Sequence, residues 1–134
     1  MKGFTAHIEN ETEGNYSFRK VIYTGKHTQL VLMCLLPKEE IGLETHPGTD
    51  QFFRFESGHG KCLIDDHEYE ITAGDAVIVP AGAQHNIINT SDIASLKMYT
   101  LYSPPHHKDG IIRETKAAAE AKENDEEFDG KTTE

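Results

Sequence analysis

The chain has 134 residues, of which 37% are hydrophobic and 27% charged, and its formal net charge is −10 at pH 7. This length and composition predict one globular domain, and the negative charge argues against nucleic acid or an anionic membrane as a partner, since both attract basic surfaces. The longest apolar run is too short to span a bilayer and the N-terminus has no apolar signal run, so we expect a cytoplasmic protein.

Most of the chain is predicted to form short β-strands separated by turns. Gly, Pro, Asn and Asp occupy almost every gap between the strands, and Asp65-Asp66-His67 predicts a hairpin turn. Even spacing of short strands is typical of an all-β sandwich or barrel. In chain order, the predicted strands cover residues 16–23, 27–36, 51–56, 60–64, 68–71, 76–79, 86–89 and 96–102.

The strand at 27–36 is apolar on both faces, which predicts that it is covered on both sides. Cys34 and Cys62 each lie in an apolar stretch, and we expect two buried free thiols. A disulfide is not expected without an export signal, and the absence of a Cys-x-x-Cys pair excludes a thiolate zinc site.

The last fifth of the chain has a different composition. Pro104-Pro105 ends the strand region, and His106-His107 is interpreted as part of a flexible loop rather than a metal chelate. Residues 113–123 have a helix-forming composition. From Lys108 onward there are 5 basic and 9 acidic side chains. We therefore expect a barrel domain over 1–112 and, over 113–134, a short helix with a flexible acidic tail.

Two segments carry the candidate chemistry. In Glu44-Thr45-His46 a carboxylate and an imidazole stand two positions apart, so on a strand they share a face. The turn at Pro47-Gly48-Thr49 lets Gln51 point its carbonyl oxygen to the same place. Phe53 and Phe55 then continue on that face and line an apolar pocket.

The second segment runs from Gly74 through Pro80-Ala81-Gly82 to His85 and Asn89. Its turns hold His85 stiffly at the start of a strand, as a metal ligand requires. With Gly74, Pro80, Gly82, His85 and Asn89 at these spacings, the segment closely resembles the second motif of the cupin superfamily.

The first cupin motif is matched in spacing but not in every residue type. Its places are taken by Lys38, Glu44, His46, Gln51 and Gly58. Lys38 stands for a glycine, Glu44 for a histidine and Gln51 for a glutamate, so the single carboxylate has moved from the fourth ligand place to the first. The resemblance covers about residues 27–103 and is to small single-domain bacterial cupins, some labelled mannose-6-phosphate isomerase-like.

The resemblance implies a double-stranded β-helix, or jelly roll, with one divalent metal ion held by Glu44, His46, Gln51 and His85. Two imidazoles and one carboxylate suit Zn, Fe, Ni or Mn. It also implies pairing of two copies into a homodimer through the outer strands. The alternative is a satisfied polar cluster without a metal.

The predicted metal site and the resemblance lead us to expect one of three functions. The first is a metal-dependent isomerase or lyase in which the ion acts as a Lewis acid on a small polar or sugar-like substrate. The second is an Fe(II) dioxygenase built on Glu44, His46 and His85. The third is a barrel that binds a small molecule without turnover. A tyrosine or histidine in the pocket, beside the ligands, would favour catalysis.

Overall fold

Two antiparallel sheets face each other across one core in the computed structural model, which describes residues 1–134. Two short helices, α1 (Ile8–Glu13) and α2 (Lys116–Ala121), flank the sheets, and a 3₁₀ turn follows at Glu123–Asp125. The strands are β1 (Arg19–Thr24), β2 (Gln29–Leu35), β3 (Glu44–Thr45), β4 (Asp50–Ser57), β5 (His59–Ile64), β6 (His67–Thr72), β7 (Ala76–Val79), β8 (Gln84–Asn89), β9 (Leu96–Ser103) and β10 (Ile112–Arg113).

The strand order confirms the jelly roll. The larger sheet, sheet A, has the order β10-β1-β2-β9-β4-β7, and the smaller one, sheet B, has the order β3-β8-β5-β6. Neighbours such as β2 and β9 are distant in sequence, as in a jelly roll built from two sheets. All eight predicted strands exist, with ends shifted by up to three residues; β3, β10 and α1 were not predicted.

Side chains along β4 alternate between the core and the outer face, and this places Gln51 at one end of the core. Along β4, Gln51, Phe53 and Phe55 are buried and the residues between them are partly exposed. Phe53 and Phe55 share the face of Gln51, as predicted, but they are fully buried in the core and do not line the cavity. Their apolar burial stabilises the barrel, while Gln51 occupies its polar end. Cys34 and Cys62 are buried free thiols, also as predicted.

The outer face of sheet A is covered in part. Helix α1 packs against β9 and β4, and Leu32 and Cys34 on β2 are buried. A row of apolar side chains on this face stays partly exposed, at Tyr23, Leu30, Leu101, Phe52 and Ile78, which are successive register partners. Homodimerisation remains a prediction.

Sheet B is tied to sheet A by a buried amide. Asn89, the last residue of the second motif, donates from Nδ2 to the carbonyl oxygens of Leu35, Leu36 and Ala94 at 3.1, 3.0 and 2.9 Å. Gly60, the register partner of Asn89, is required by close backbone approach, because a Cβ there would lie 2.1 Å from the Ile88 carbonyl oxygen. Asn89 is therefore a structural residue of the motif.

The acidic C-terminal segment is not a flexible tail, which corrects the sequence prediction. The predicted boundary between residues 112 and 113 falls inside β10, which pairs with β1. Beyond α2, Glu126 is 4% exposed. Its carboxylate is 2.6 Å from Arg19 Nη1 and 2.8 Å from Arg113 Nε. Arg19 is buried and Arg113 is partly exposed. A buried arginine without this carboxylate would be costly, so the ion pairs hold the segment against the barrel.

The loop at His106-His107 is also ordered rather than flexible. His107 is 5% exposed, and its Nε2 is 3.3 Å from the Tyr102 hydroxyl. Apart from His106 and His107, the histidines outside the motifs are exposed, at His7, His27, His59 and His67. No helix in the structure is both long and apolar enough to cross a membrane.

Replacing Glu126 tests whether the C-terminal segment is part of the folded core. Glu126→Gln removes the charge shared by two arginines, and we expect the free energy of unfolding to fall by about 3–5 kcal/mol, as when a buried ion pair loses one partner. Urea denaturation measures this loss. The matched control Glu120→Gln breaks only an exposed pair with Lys116 and should cost no more than about 1 kcal/mol. Equal effects of the two changes would contradict the assignment.

His107 makes stability depend on pH. Burial, and then the positive charge of Arg19, hold the pKa of His107 well below its usual value. Below pH about 6.5 the unfolded chain binds a proton at this imidazole that the folded chain does not. Above that pH, this group does not lower the free energy of unfolding. As the pH falls below it, the free energy of unfolding decreases by up to about 1.4 kcal/mol per pH unit because of this group.

We expect His107→Gln to reduce this slope when urea denaturation is repeated between pH 5 and 7.5. His59→Gln, at an exposed position, should leave the slope unchanged. An unchanged slope in His107→Gln would show that the imidazole is protonated in the folded protein.

Candidate metal centre

The pairing of β3 with β8 brings the two predicted motifs together. Glu44 is the register partner of His85, and His46 follows two residues after Glu44, just beyond the end of β3. One ligand atom from each of these three side chains lies within 4.8 Å of the other two. The structure thus assembles Glu44, His46 and His85 as the sequence predicts, one carboxylate with two imidazoles.

The Glu44 carboxylate faces both imidazoles. Its Oε2 is 3.2 Å from His46 Nε2 and 4.0 Å from His85 Nε2. His46 and His85 are 9% and 1% exposed, while the Glu44 side chain is 32% exposed. The cluster is therefore closed on the barrel side and open on the side of Glu44.

A backbone carbonyl sets the orientation of His85. Its Nδ1 is 3.3 Å from the Ala83 carbonyl oxygen, a contact that requires the proton on Nδ1 and leaves the lone pair on Nε2. Nε2 is buried and has no hydrogen-bond partner. An acceptor nitrogen thus faces a carboxylate oxygen at 4.0 Å.

Gln51 is buried in the same end of the barrel. It is 2% exposed and is the register partner of Tyr102, whose ring centroid is 5.9 Å from that of His46. Gln51 Nε2 donates to Thr100 Oγ1 at 3.0 Å. This bond fixes the amide, and Oε1 is left buried without a partner. Its place as fourth ligand remains a prediction.

The protonation of the cluster suits a cation. Burial alone would raise the pKa of the Glu44 carboxyl, but the hydrogen bond and charge of His46 outweigh it and the pKa is lowered. Burial lowers the pKa of His85, and the Ala83 carbonyl opposes this only in part. Near neutral pH the carboxylate is charged and the His85 imidazole is neutral, which is the form that binds metals.

The donor set fits a divalent transition metal. In this end of the barrel, His85 Nε2 and Gln51 Oε1 are buried acceptor atoms without a hydrogen-bond partner. Buried polar atoms normally have partners, and a metal ion held by Glu44, His46 and His85 would supply one for the His85 nitrogen. Histidine nitrogen with carboxylate and amide oxygen suits Zn, Fe, Ni or Mn.

The side chains of His106 and Tyr102 also lie beside this cluster, and the sequence did not assign either of them to the site. The His106 ring centroid is 4.2 Å from that of His46 and 5.3 Å from that of Tyr102. Thr100 and Tyr102 are buried, so they lie on the inner face of β9, which the sequence left undecided. Burial lowers the pKa of His106 to about 4 and raises that of Tyr102. The two consecutive histidines after Pro104-Pro105 were the available signal.

A cavity of about 840 Å³ opens from the cluster towards the C-terminal segment. Its size suits a small molecule. Glu44 and His106 line it together with residues from α2 onward. The cavity therefore adjoins the cluster at the Glu44 side chain, and C-terminal residues form part of its wall.

Comparisons with known proteins agree with this architecture. The Cupin domain family matches residues 31–102. Uncharacterized protein YrkC of Bacillus subtilis is 43% identical over 129 residues, which are 92% of this chain and 69% of that protein.

Solved structures show the same fold. A crystal structure of BH2720 from Bacillus halodurans superposes with a TM-score of 0.87 at 40% identity and covers 90% of this chain and 95% of that one. A predicted oxalate decarboxylase from Thermotoga maritima superposes with a TM-score of 0.56 at 25% identity, over 60% of this chain and 69% of that one. The chain belongs to the cupin family.

Proposed function

We propose that this cupin is a metal-dependent enzyme that acts on a small, oxygen-rich molecule. The observation that carries the proposal is His85 Nε2, a buried acceptor without a hydrogen-bond partner that lies 4.0 Å from the charged Glu44 carboxylate. Gln51 Oε1 is a second unpartnered acceptor buried in the same end of the barrel. A divalent ion held by Glu44, His46 and His85, with Gln51 as fourth ligand, would satisfy them. When bound, the ion supplies Lewis-acid chemistry, polarising a carbonyl or carboxylate oxygen.

The chain's own residues give the site the form of an enzyme pocket. The barrel shields His85 and Gln51 from water on one side, which strengthens electrostatic interactions inside. A histidine outside the ligand set, His106, lines the cavity together with Glu44. Such a group can hold or move a proton on a bound molecule. This arrangement supports isomerase or lyase chemistry over passive binding.

An Fe(II) dioxygenase is the second candidate. The observation that favours it is the two-histidine, one-carboxylate set itself, which non-haem iron oxygenases share. A fourth ligand from Gln51 would leave fewer open positions for oxygen and substrate together, so we rank this function second. Iron content and oxygen consumption distinguish the two.

Metal content tests the proposal directly. We expect one divalent metal ion per chain in freshly purified protein, measured by plasma mass spectrometry. Glu44→Ala and His85→Ala each remove a ligand, and we expect the affinity for Co²⁺ to fall at least about 100-fold, the upper range for losing an outer-shell partner. Gln51→Leu should change the visible Co²⁺ spectrum if the amide oxygen is a ligand.

His59→Ala is the matched control, because this imidazole is exposed and lies on sheet B away from β3. Its Co²⁺ affinity should equal that of the unchanged protein. If neither the purified protein nor protein reloaded with Zn, Fe, Ni or Mn holds a metal, both enzyme functions are wrong and a ligand-binding barrel is the remaining one.

A further inference from the structure

The ring of His106 is an unused polar group on the cavity wall. It lies against His46, with ring centroids 4.2 Å apart, and stacks on Tyr102 at 5.3 Å with an interplanar angle of 22°. His106 does not belong to the cluster of three that could share one metal. The hydrogen bonds of this residue come from its backbone, and its ring nitrogens make none within the protein. They are free to bond a molecule in the cavity.

The backbone at His106 is held by a buried amide on β2. Gln29 is fully buried, and its Oε1 accepts from the N–H groups of His106 and His107 at 3.1 and 3.0 Å. Its Nε2 donates to the His107 carbonyl oxygen at 2.7 Å and to Thr24 Oγ1 at 2.9 Å. Every donor and acceptor of the amide is used, and three of its four hydrogen bonds hold the loop.

The C-terminal segment holds the same loop from the other side. The N–H of Phe128 donates to the His106 carbonyl oxygen at 3.0 Å, and the N–H of Lys108 donates to the Glu126 carbonyl oxygen at 2.7 Å. His106 is thus fixed from two directions although it lies in a loop. Fixed polar groups that face a cavity are what ligand recognition requires, because no ordering cost is paid on binding.

We propose that His106 is a ligand-binding residue outside the metal shell and that Gln29 is its positioning residue. The inference rests on the proposed function, since it places one end of the ligand at the metal. The ligand then carries metal-binding oxygens at one end and a hydroxyl or carbonyl group beyond them, which hydrogen-bonds to the His106 ring.

The charges around the cavity restrict the far end of this ligand. Arg19 is paired with Glu126, and Lys116 lies 3.9 Å from Glu120, so the arginine and the lysine of the wall each already have an acidic partner. Glu123 and Glu127 add further negative charge to the wall. A phosphate or second carboxylate at this end would meet like charge. The ligand is therefore uncharged beyond its metal-binding group.

Three probe molecules test this inference on Co²⁺-loaded protein. Glycolate carries an α-hydroxy acid alone, gluconate adds an uncharged polyol chain, and glucarate adds a second carboxylate at the far end. Binding is followed by the change in the visible Co²⁺ bands. We expect gluconate to bind the unchanged protein about 5- to 10-fold more tightly than glycolate, the value of one hydrogen bond. Glucarate should bind no more than twofold more tightly than gluconate.

In His106→Leu, we expect the affinities for gluconate and glycolate to lie within about twofold of each other, while the affinities for Co²⁺ and glycolate stay unchanged. The control His59→Leu should keep the advantage. Equal binding of gluconate and glycolate to the unchanged protein, or an advantage that survives in His106→Leu, would overturn the inference without touching the metal site. Absence of Co²⁺ binding would overturn the proposed function instead, and the inference with it.

Gln29→Met tests positioning. It keeps the size of the side chain and deletes the acceptor of both N–H groups, and we expect the gluconate advantage to fall as in His106→Leu, with Co²⁺ and glycolate affinities within twofold of the original. A purely structural role would lower stability and leave the advantage intact. Thr24→Val, which removes only the hydroxyl bonded to Gln29 Nε2, is the milder second variant if Gln29→Met does not fold.

Discussion

The register between β3 and β8 determines what the mouth of this barrel can do. It places Glu44 opposite His85, at a point where the imidazole is withdrawn from water and the carboxylate is not. If β3 slipped by one residue along β8, Glu44 would turn to the other face of sheet B while His85 stayed in place. The rigidity of this pairing matters because metal ligands must keep their distances, and Asn89 supplies it by tying the end of β8 to the backbone after β2.

Three buried amides show how the barrel distributes its polar groups. Asn89 donates to three carbonyl oxygens and accepts from the Ser91 N–H, and Gln29 uses all its hydrogen-bonding atoms to hold the loop at His106. Gln51 differs, because its Nε2 is bonded and its Oε1 is not. This free oxygen is the atom that the proposed metal ion would use, whereas the hydrogen-bonding atoms of the other two amides all have partners within the protein.

One of the chain's many acidic residues stabilises its structure. Glu126 balances Arg19 and Arg113 inside the protein, and the segment that carries it forms part of the wall of the cavity. The same segment brings further carboxylates to the pocket. The pairing of Arg19 and Arg113 with Glu126 therefore also shapes the charge that an incoming molecule meets.

The sequence by itself determined the strands, the jelly roll and the residues of the metal cluster. Alternating burial can be predicted from local patterns such as Gln51-Phe52-Phe53, and the second motif can be identified by its fixed spacings. Only the tertiary structure decided where Gln29, His106 and Glu126 lie and which residues they contact. Each acts on residues far away in the chain, as Gln29 does on His107 and Glu126 on Arg19. A histidine in a proline-rich loop and a glutamate in an acidic tail look solvated locally, and only the closed barrel shows which buried partners they satisfy.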